Sequence, residues 1–122
     1  MTREDLKIKI SELLNSAAFE EGGEWLTCII DPKNWLTLAG DLRNDPALYF
    51  DYLFCLTCID WKTHLTMVYH LSSTKYRHNI VVKAIVDRTD PVIDSVAAIW
   101  RTAEFHEREV YEMFGVNFLN HP

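Results

Sequence analysis

Two stretches of alternating residues, joined by a short polar segment, constrain the fold more than any other feature of the chain. The stretches are His64–Ser72 and Asn79–Asp87. Apolar residues recur at every second position, with Leu65, Met67, Tyr69 and Leu71 in the first and Ile80, Val82, Ala84 and Val86 in the second. Successive side chains of a strand point to opposite faces, so each stretch predicts a half-buried strand. The polar segment Ser73–Arg77 predicts the hairpin turn between them.

Two further apolar segments, Glu24–Ile30 and Leu53–Asp60, predict additional strands. Leu53–Asp60 and the two alternating stretches follow one another with short connections, which favours an antiparallel meander of three strands. The strand from Glu24 is then added at an edge or inserted. The order of the strands is not encoded in this pattern.

Two helices are predicted before the meander. Thr2 can cap the first, with Asp5 three residues on, and Gly22-Gly23 ends that region. Asp31 precedes a proline, and this pair of a capping oxygen and a preset backbone angle is typical of a helix start. The predicted buried stripes are Leu6, Ile10, Leu13 and Leu14 for the first helix, and Trp35, Leu38, Ala39 and Leu42 for the second.

Two more helices are predicted after the meander. Asp90-Pro91 repeats the start signal, and the stripe of that helix is Val92, Val96, Ile99 and Trp100. The last helix is predicted over Ala103–Phe114 and ends at Gly115, a residue suited to a left-handed cap. The whole pattern predicts an α+β two-layer sandwich, with a mixed sheet of about four strands and helices on one face. Its 122 residues fit one domain, 1–122.

The charge balance excludes several classes of function. The net charge is −6 and lysine and arginine are not clustered, which argues against nucleic acid and anionic lipid as partners. No stretch is long and apolar enough to span a bilayer, and the first ten residues lack the apolar core of a secretory signal. We therefore expect the chain in the cytoplasm, and three cysteines, an odd number, fit a reducing space.

Cysteine, histidine and glycine patterns do not predict a site. Cys55 and Cys58 have the C-x-x-C spacing, but in a strand they point to opposite faces, so we expect small strand residues rather than a metal site. His70 and His78 could face each other across the hairpin, but no third and fourth zinc ligand is evident. No glycine-rich phosphate loop is present. No catalytic, cofactor-binding or metal-ligating residue is therefore expected.

The densest polar cluster lies in the last helix. Glu104, Arg108 and Glu112 are one turn apart and predict an acid–base–acid ladder on one helix face. The apolar residues that follow are unusually many for the end of a small domain: Tyr111, Met113, Phe114, Val116, Phe118 and Leu119. Aromatic, methionine and arginine side chains together are typical of a surface that another protein covers.

These residues also resemble a known family. Glu107–Val116 (EREVYEMFGV) is similar to the E-R-E-x-x-[DE]-hydrophobic-hydrophobic-Gly signature of the 30 kDa (C) subunit of respiratory NADH:quinone oxidoreductase, complex I. Trp100–Ala103 matches the W-x-x-A that precedes the signature, and Asp90–Trp100 resembles its D-P-x-x-x-S-V-x-x-I-W helix. The match runs from about Leu53 to the end of the chain. The family usually continues past His121-Pro122 with a basic segment, so the resemblance implies truncation at the C-terminus.

The resemblance implies a peripheral-arm subunit without a redox centre or a catalytic centre of its own. Its partners would be the large hydrogenase-like subunit near the quinone site and the iron–sulfur subunits. FMN, iron–sulfur clusters and quinone would belong to partner subunits, and the membrane would be reached only through the complex, on the cytoplasmic face. The expected partner surface consists of Glu107, Arg108, Glu109, Tyr111, Phe114, Phe118 and His121, with Glu107, Arg108 and Glu109 presented by the helix.

Three alternatives remain open at this point. The chain is also compatible with the equivalent subunit of a membrane-bound hydrogenase or formate hydrogenlyase, which belong to the same wider family. A stand-alone small-molecule binding module on the same sandwich would show a defined pocket. A hydrolase would use His106 with Glu107 or Glu109, although no oriented nucleophile is visible.

Overall fold

The computed structural model describes residues 2–20 and 22–122, which form helices, strands and connecting turns. The helices are α1 (Arg3–Leu13), α2 (Trp35–Asn44) and α3 (Ala103–Phe114). The strands are β1 (Ala18–Glu20), β2 (Leu26–Ile30), β3 (Tyr52–Asp60), β4 (His64–Ser72), β5 (Asn79–Asp87), β6 (Val92–Asp94) and β7 (Asn117–Leu119). A short 3-10 turn, Pro32–Asn34, leads into α2.

Five strands form one mixed sheet in the order β1-β2-β5-β4-β3. Strands β3, β4 and β5 are the predicted antiparallel meander, and β4 pairs with β5 over the full length of both, from His64 opposite Asp87 to Ser72 opposite Asn79. Strand β2 lies parallel to β5, which makes the sheet mixed. The α+β sandwich predicted from the sequence is confirmed.

The sheet has five strands rather than about four because β1 was not predicted. It has only three residues, too few for an alternating pattern to be recognised, and pairs antiparallel with β2 at the edge of the sheet. Gly22 and Gly23 in the connection both have positive φ, 78° and 79°, a backbone conformation that glycine adopts without strain.

One hydrophobic core lies between the sheet and the helices. The inward residues of β4 and β5, all eight of them predicted, are buried there. Leu6 and Ile10 of α1 and the predicted inner face of α2 join the same core. Burial of this apolar surface is the main stabilising contribution to the fold.

The predicted start of the first helix is confirmed, whereas Asp31-Pro32 starts a 3-10 turn and α2 follows only from Trp35. The Thr2 hydroxyl oxygen accepts a hydrogen bond from the Asp5 N–H at 3.1 Å, and the Thr2 N–H donates to the Asp5 carboxylate at 3.2 Å. The Asp31 carboxylate accepts from the Lys33 N–H at 2.9 Å at the start of the 3-10 turn. Local side-chain capping therefore sets where both segments begin.

The predicted helix after Asp90-Pro91 is wrong. Residues 92–94 form strand β6, which pairs in parallel with β7 in a second, two-stranded sheet, and turns follow up to α3. Ile93 faces the core and is 2% exposed. The partner strand begins only at Asn117, after helix α3, so a local sequence pattern contains no sign of the pairing that overrides the helix signal.

Among the described helices, none combines the length and the apolar composition that a membrane crossing requires.

Candidate partner-binding site

Helix α3 is held against strand β3 and places the charged and aromatic residues of the predicted site. The Thr102 hydroxyl, just before the helix, donates to the Leu53 carbonyl of β3 at 2.7 Å. Gly115 ends the helix in the left-handed conformation, with φ of 74°. The chain then turns back and forms β7 beside β6, so β7 and the residues after it lie next to α3.

Glu107 is completely buried, which differs from the expectation that α3 presents it on the surface. One carboxylate oxygen accepts from the Ser95 hydroxyl at 2.5 Å and the other from the Val96 N–H at 2.9 Å. Loss of hydration raises the pKa of this carboxyl above its ordinary value, although both hydrogen bonds and nearby His121 oppose the rise. Glu107 thus fastens the turn after β6 to α3 from inside the chain.

His121 fastens the residues after β7 to the same helix. Its Nε2 lies 3.0 Å from the Glu104 carbonyl oxygen and 3.8 Å from a Glu107 carboxylate oxygen. A carbonyl oxygen only accepts hydrogen bonds, so Nε2 carries the hydrogen and donates it. No pattern in the sequence indicated this contact, because it joins residues on different elements.

A surface pocket of about 310 Å³ opens between α3 and β7. Its lining brings together five of the seven predicted site residues and one that was missed: Glu107, Arg108, Tyr111, Phe118 and His121, with Asn117. Asn117 was missed because its position beside α3 depends on the pairing of β7 with β6. The pocket therefore combines a cation, a buried carboxyl group, an amide, an imidazole and two aromatic rings.

The other two predicted residues lie elsewhere. The Glu109 carboxylate is half exposed and lies 3.8 Å from Nδ1 of His106. Phe114 is half-buried, packs against the core and lines a separate cavity with Asp60, Leu65, Arg88 and Met113. These two residues do not share the pocket between α3 and β7.

The exposed surface of α3 carries large apolar side chains. Phe105 is 65% exposed, Tyr111 55% and Met113 76%. Phe105 was not among the predicted site residues, although its position one turn before Arg108 would have placed it on the same face. We call Phe105, Arg108, Tyr111 and the pocket between α3 and β7 the α3 surface.

The predicted ladder of Glu104, Arg108 and Glu112 is wrong as a set of ion pairs. Within residues 2–20 and 22–122, no carboxylate oxygen lies within 4 Å of the Arg108 guanidinium. Arg108 is exposed and lies between the 310 Å³ pocket and a smaller cleft lined by Arg101, Glu104 and Phe105. Its charge is therefore available to a group from outside the chain.

Cysteine and histidine residues of the sheet lie in separate environments. Cys55 pairs across from His70 and Cys58 across from Met67, on opposite faces of β3, as predicted. His70 packs beside Trp25 and Phe54, whereas His78 bonds the Leu48 carbonyl at 2.7 Å. In the part of the chain that the structure describes, no group of three or more potential ligands could hold a metal ion.

A family model described as "Respiratory-chain NADH dehydrogenase, 30 Kd subunit" matches residues 28–122, more than half of the chain. The chain belongs to this family. The resemblance seen in the segment Glu107–Val116 is thereby confirmed.

Relatives of the 30 kDa subunit family are similar to the chain over much of its length. The C subunit of an NADH-quinone oxidoreductase from Citrifermentans bemidjiense is 36% identical over 94% of this chain and 73% of the relative. The corresponding C subunit from Chloroherpeton thalassium is 41% identical over 72% of this chain and 38% of the relative. The C subunit from Roseiflexus sp. is 36% identical over 90% of this chain and 63% of the relative. The matched part of the chain thus covers about two fifths of the Chloroherpeton relative and less than two thirds of the Roseiflexus relative.

Two solved structures share the fold of this 30 kDa subunit family member. A trypsin-resistant fragment of Nqo5 superposes with a TM-score of 0.83 at 23% identity, covering 99% of this chain and 98% of the fragment. A chain of the membrane-bound sulfane sulfur reductase, an archaeal respiratory membrane complex, superposes with a TM-score of 0.80 at 23% identity, covering 98% of this chain and 71% of the other.

Proposed function

We propose that the chain is a non-redox peripheral-arm subunit of an NADH:quinone oxidoreductase and supports the assembly of its quinone-end large subunit. The observation that carries this proposal is the family match over residues 28–122, together with relatives named as the C subunit of that enzyme. FMN, iron–sulfur clusters and quinone would be held by partner subunits. The chain would reach the cytoplasmic face of the membrane only through the complex.

The α3 surface is the proposed contact with the large hydrogenase-like subunit. It exposes Phe105 and Tyr111 beside Arg108, which pairs with no carboxylate among residues 2–20 and 22–122. Aromatic and arginine side chains are common anchors of protein interfaces. In this proposal Phe118 and His121 line the pocket that receives the partner, and Glu109 and Phe114 extend the contact. Glu107 holds the surface in place from inside the chain.

Purification of the tagged chain from its native host tests the proposal. We expect it to co-purify with iron–sulfur subunits and the large subunit of an NADH:quinone oxidoreductase. Deletion of the gene is expected to lower the NADH:quinone reductase activity of the membranes, and the wild-type gene should restore it. Recovery of the chain with the subunits of a hydrogenase or formate hydrogenlyase would favour the alternative complex, and recovery alone would contradict both.

A further inference from the structure

Arg108 is the central polar group of the α3 surface and has no partner among the described residues 2–20 and 22–122. Glu104 and Glu112 lie one turn before and after it, yet neither forms an ion pair with its guanidinium within 4 Å. The side chain also makes no hydrogen bond within the same residues. A guanidinium has five N–H donors and accepts no hydrogen bond, so its preferred external partner is an anionic oxygen pair.

The other polar groups around the pocket can act as donors as well. The Tyr111 hydroxyl and the Asn117 side-chain amide make no side-chain hydrogen bond to another described residue. Both line the pocket with Arg108. A group that enters the pocket therefore meets one cation and two neutral groups that can donate to it.

The pocket lining contains a single carboxylate, Glu107, and it does not neutralise Arg108. Glu107 is 0% exposed, and its two oxygens already accept from Ser95 and Val96. His121, which also lines the pocket, directs its Nε2 hydrogen at the Glu104 carbonyl oxygen. The carboxyl group of the lining is thus turned inward, whereas the guanidinium of Arg108 is turned outward.

We propose that the pocket between α3 and β7 receives the carboxylate of an aspartate or glutamate side chain from a partner subunit, with Arg108 as its main ligand. Arginine binds a carboxylate through two parallel N–H···O bonds, which fixes the orientation of the partner as well as its position. The rings of Tyr111 and Phe118 offer apolar contact to the methylene groups of that side chain. The proposal rests on the proposed function and adds the chemistry of the partner group.

Substitutions that change the charge at position 108 stepwise test whether the partner group is negatively charged. The variants R108K, R108Q and R108E are introduced into the tagged chain in its native host, and the yield of co-purified complex is compared with the wild type. We expect R108K to retain most of the complex, R108Q to lose part of it, and R108E to yield at least about tenfold less than R108Q, because like charges repel in a desolvated contact. R77E is the matched control, since Arg77 is exposed in the β4–β5 turn and its side chain forms no ion pair with a described residue.

A zero-length cross-link identifies the partner group directly. A carbodiimide joins an amine to a carboxylate in contact with it, so the R108K complex should form an amide between the introduced lysine and an aspartate or glutamate of another subunit. Mass spectrometry of the digested complex reads out the linked residues, and native Lys62, exposed on the β3–β4 turn, reports background coupling. Thermal melting of the isolated variants should match that of the wild type, because Arg108 is exposed.

The outcomes separate this inference from the proposed function. If the wild-type chain co-purifies with the oxidoreductase but R108E and R108Q yield equal amounts of complex and no cross-link forms at position 108, the carboxylate partner is disproved and the subunit role stands. If R108K does not assemble, no cross-link can be tested, and the proposal is then decided by comparing the yield of complex with R108E to the yield with R108Q. If the wild-type chain recovers no oxidoreductase subunit, the proposed function itself fails.

Discussion

The Glu107 carboxylate is buried, accepts two hydrogen bonds and lies 3.8 Å from Nε2 of His121. Burial raises its pKa in the folded chain, so between the ordinary and the raised pKa the native state binds this proton more tightly than the unfolded state does. The contribution of this residue to stability is present below its ordinary pKa of 4.5 and is lost as pH rises through the raised native value. Glu107→Gln should therefore be more stable than the wild type at pH 8, with the difference shrinking towards pH 4.5.

Urea denaturation of both proteins across this range measures the effect. Glu107→Ala is the matched control: it leaves the Ser95 hydroxyl and the Val96 N–H unpaired beside a cavity, so its free energy of unfolding should fall about 2–3 kcal/mol below that of Glu107→Gln. A wild type more stable than Glu107→Gln at pH 8 would mean that the ionised carboxylate stabilises the fold.

The three cysteines should differ in their reactivity. Burial raises the pKa of the Cys28 thiol to about 12, and burial with the nearby Asp60 charge raises that of Cys58 to about 11. Because the thiolate is the nucleophile, iodoacetamide at pH 8 should label Cys55 first, Cys58 more slowly and Cys28 only on unfolding. Peptide mapping over time gives the order, and rapid labelling of Cys28 in the folded chain would contradict the burial of β2.

The end of α3 depends on the backbone conformation of Gly115 rather than on packing. Its φ is 74°, and a Cβ built there would meet nothing within 4 Å. Gly115→Ala should therefore lower the free energy of unfolding by about 1 kcal/mol through backbone strain alone. Gly40 of α2 has equal space but no positive φ, so Gly40→Ala should raise the free energy of unfolding by about 0.5–1 kcal/mol. If urea denaturation gives the same change in the free energy of unfolding for both variants, the positive φ of Gly115 does not determine the effect of adding a Cβ.

The same contrast between local and distant causes explains which elements the sequence predicted. Strands β4 and β5 and helix α3 were predicted with their observed bounds, because alternation, helical spacing and a glycine cap are local signals. The helix expected after Asp90-Pro91 was wrong because β6 is set by its pairing with β7. The strand order could not be predicted for the same reason, because β2 lies beside β5 through a parallel pairing of residues far apart in the sequence.

The sequence analysis named most residues that line the pocket between α3 and β7, but not how they are arranged. The signature segment contained Arg108 and Tyr111, which line the pocket, and also Glu107, which the fold turns inward. Burial of Glu107 requires the turn at Ser95 and Val96 to meet α3, and the helical spacing of the segment carries no information on that contact. Helical spacing gives the face of a residue, whereas the neighbouring elements decide whether that face is inside or outside.

The exposed rings of α3 allow the proposed contact to be separated from folding. Phe105 is 65% exposed, so Phe105→Ser should leave the melting temperature of the isolated chain unchanged. If the α3 surface is covered in the complex, the same change should weaken assembly by about 1–3 kcal/mol, because aromatic anchors dominate interface energies.

Ile85→Ser is the matched control, since Ile85 is 47% exposed on the sheet face opposite the helices. Competition between tagged wild-type and variant chains for incorporation into the complex in the native host measures the loss. Equal incorporation of Phe105→Ser and the wild type, with Ile85→Ser excluded instead, would move the contact from α3 to the sheet.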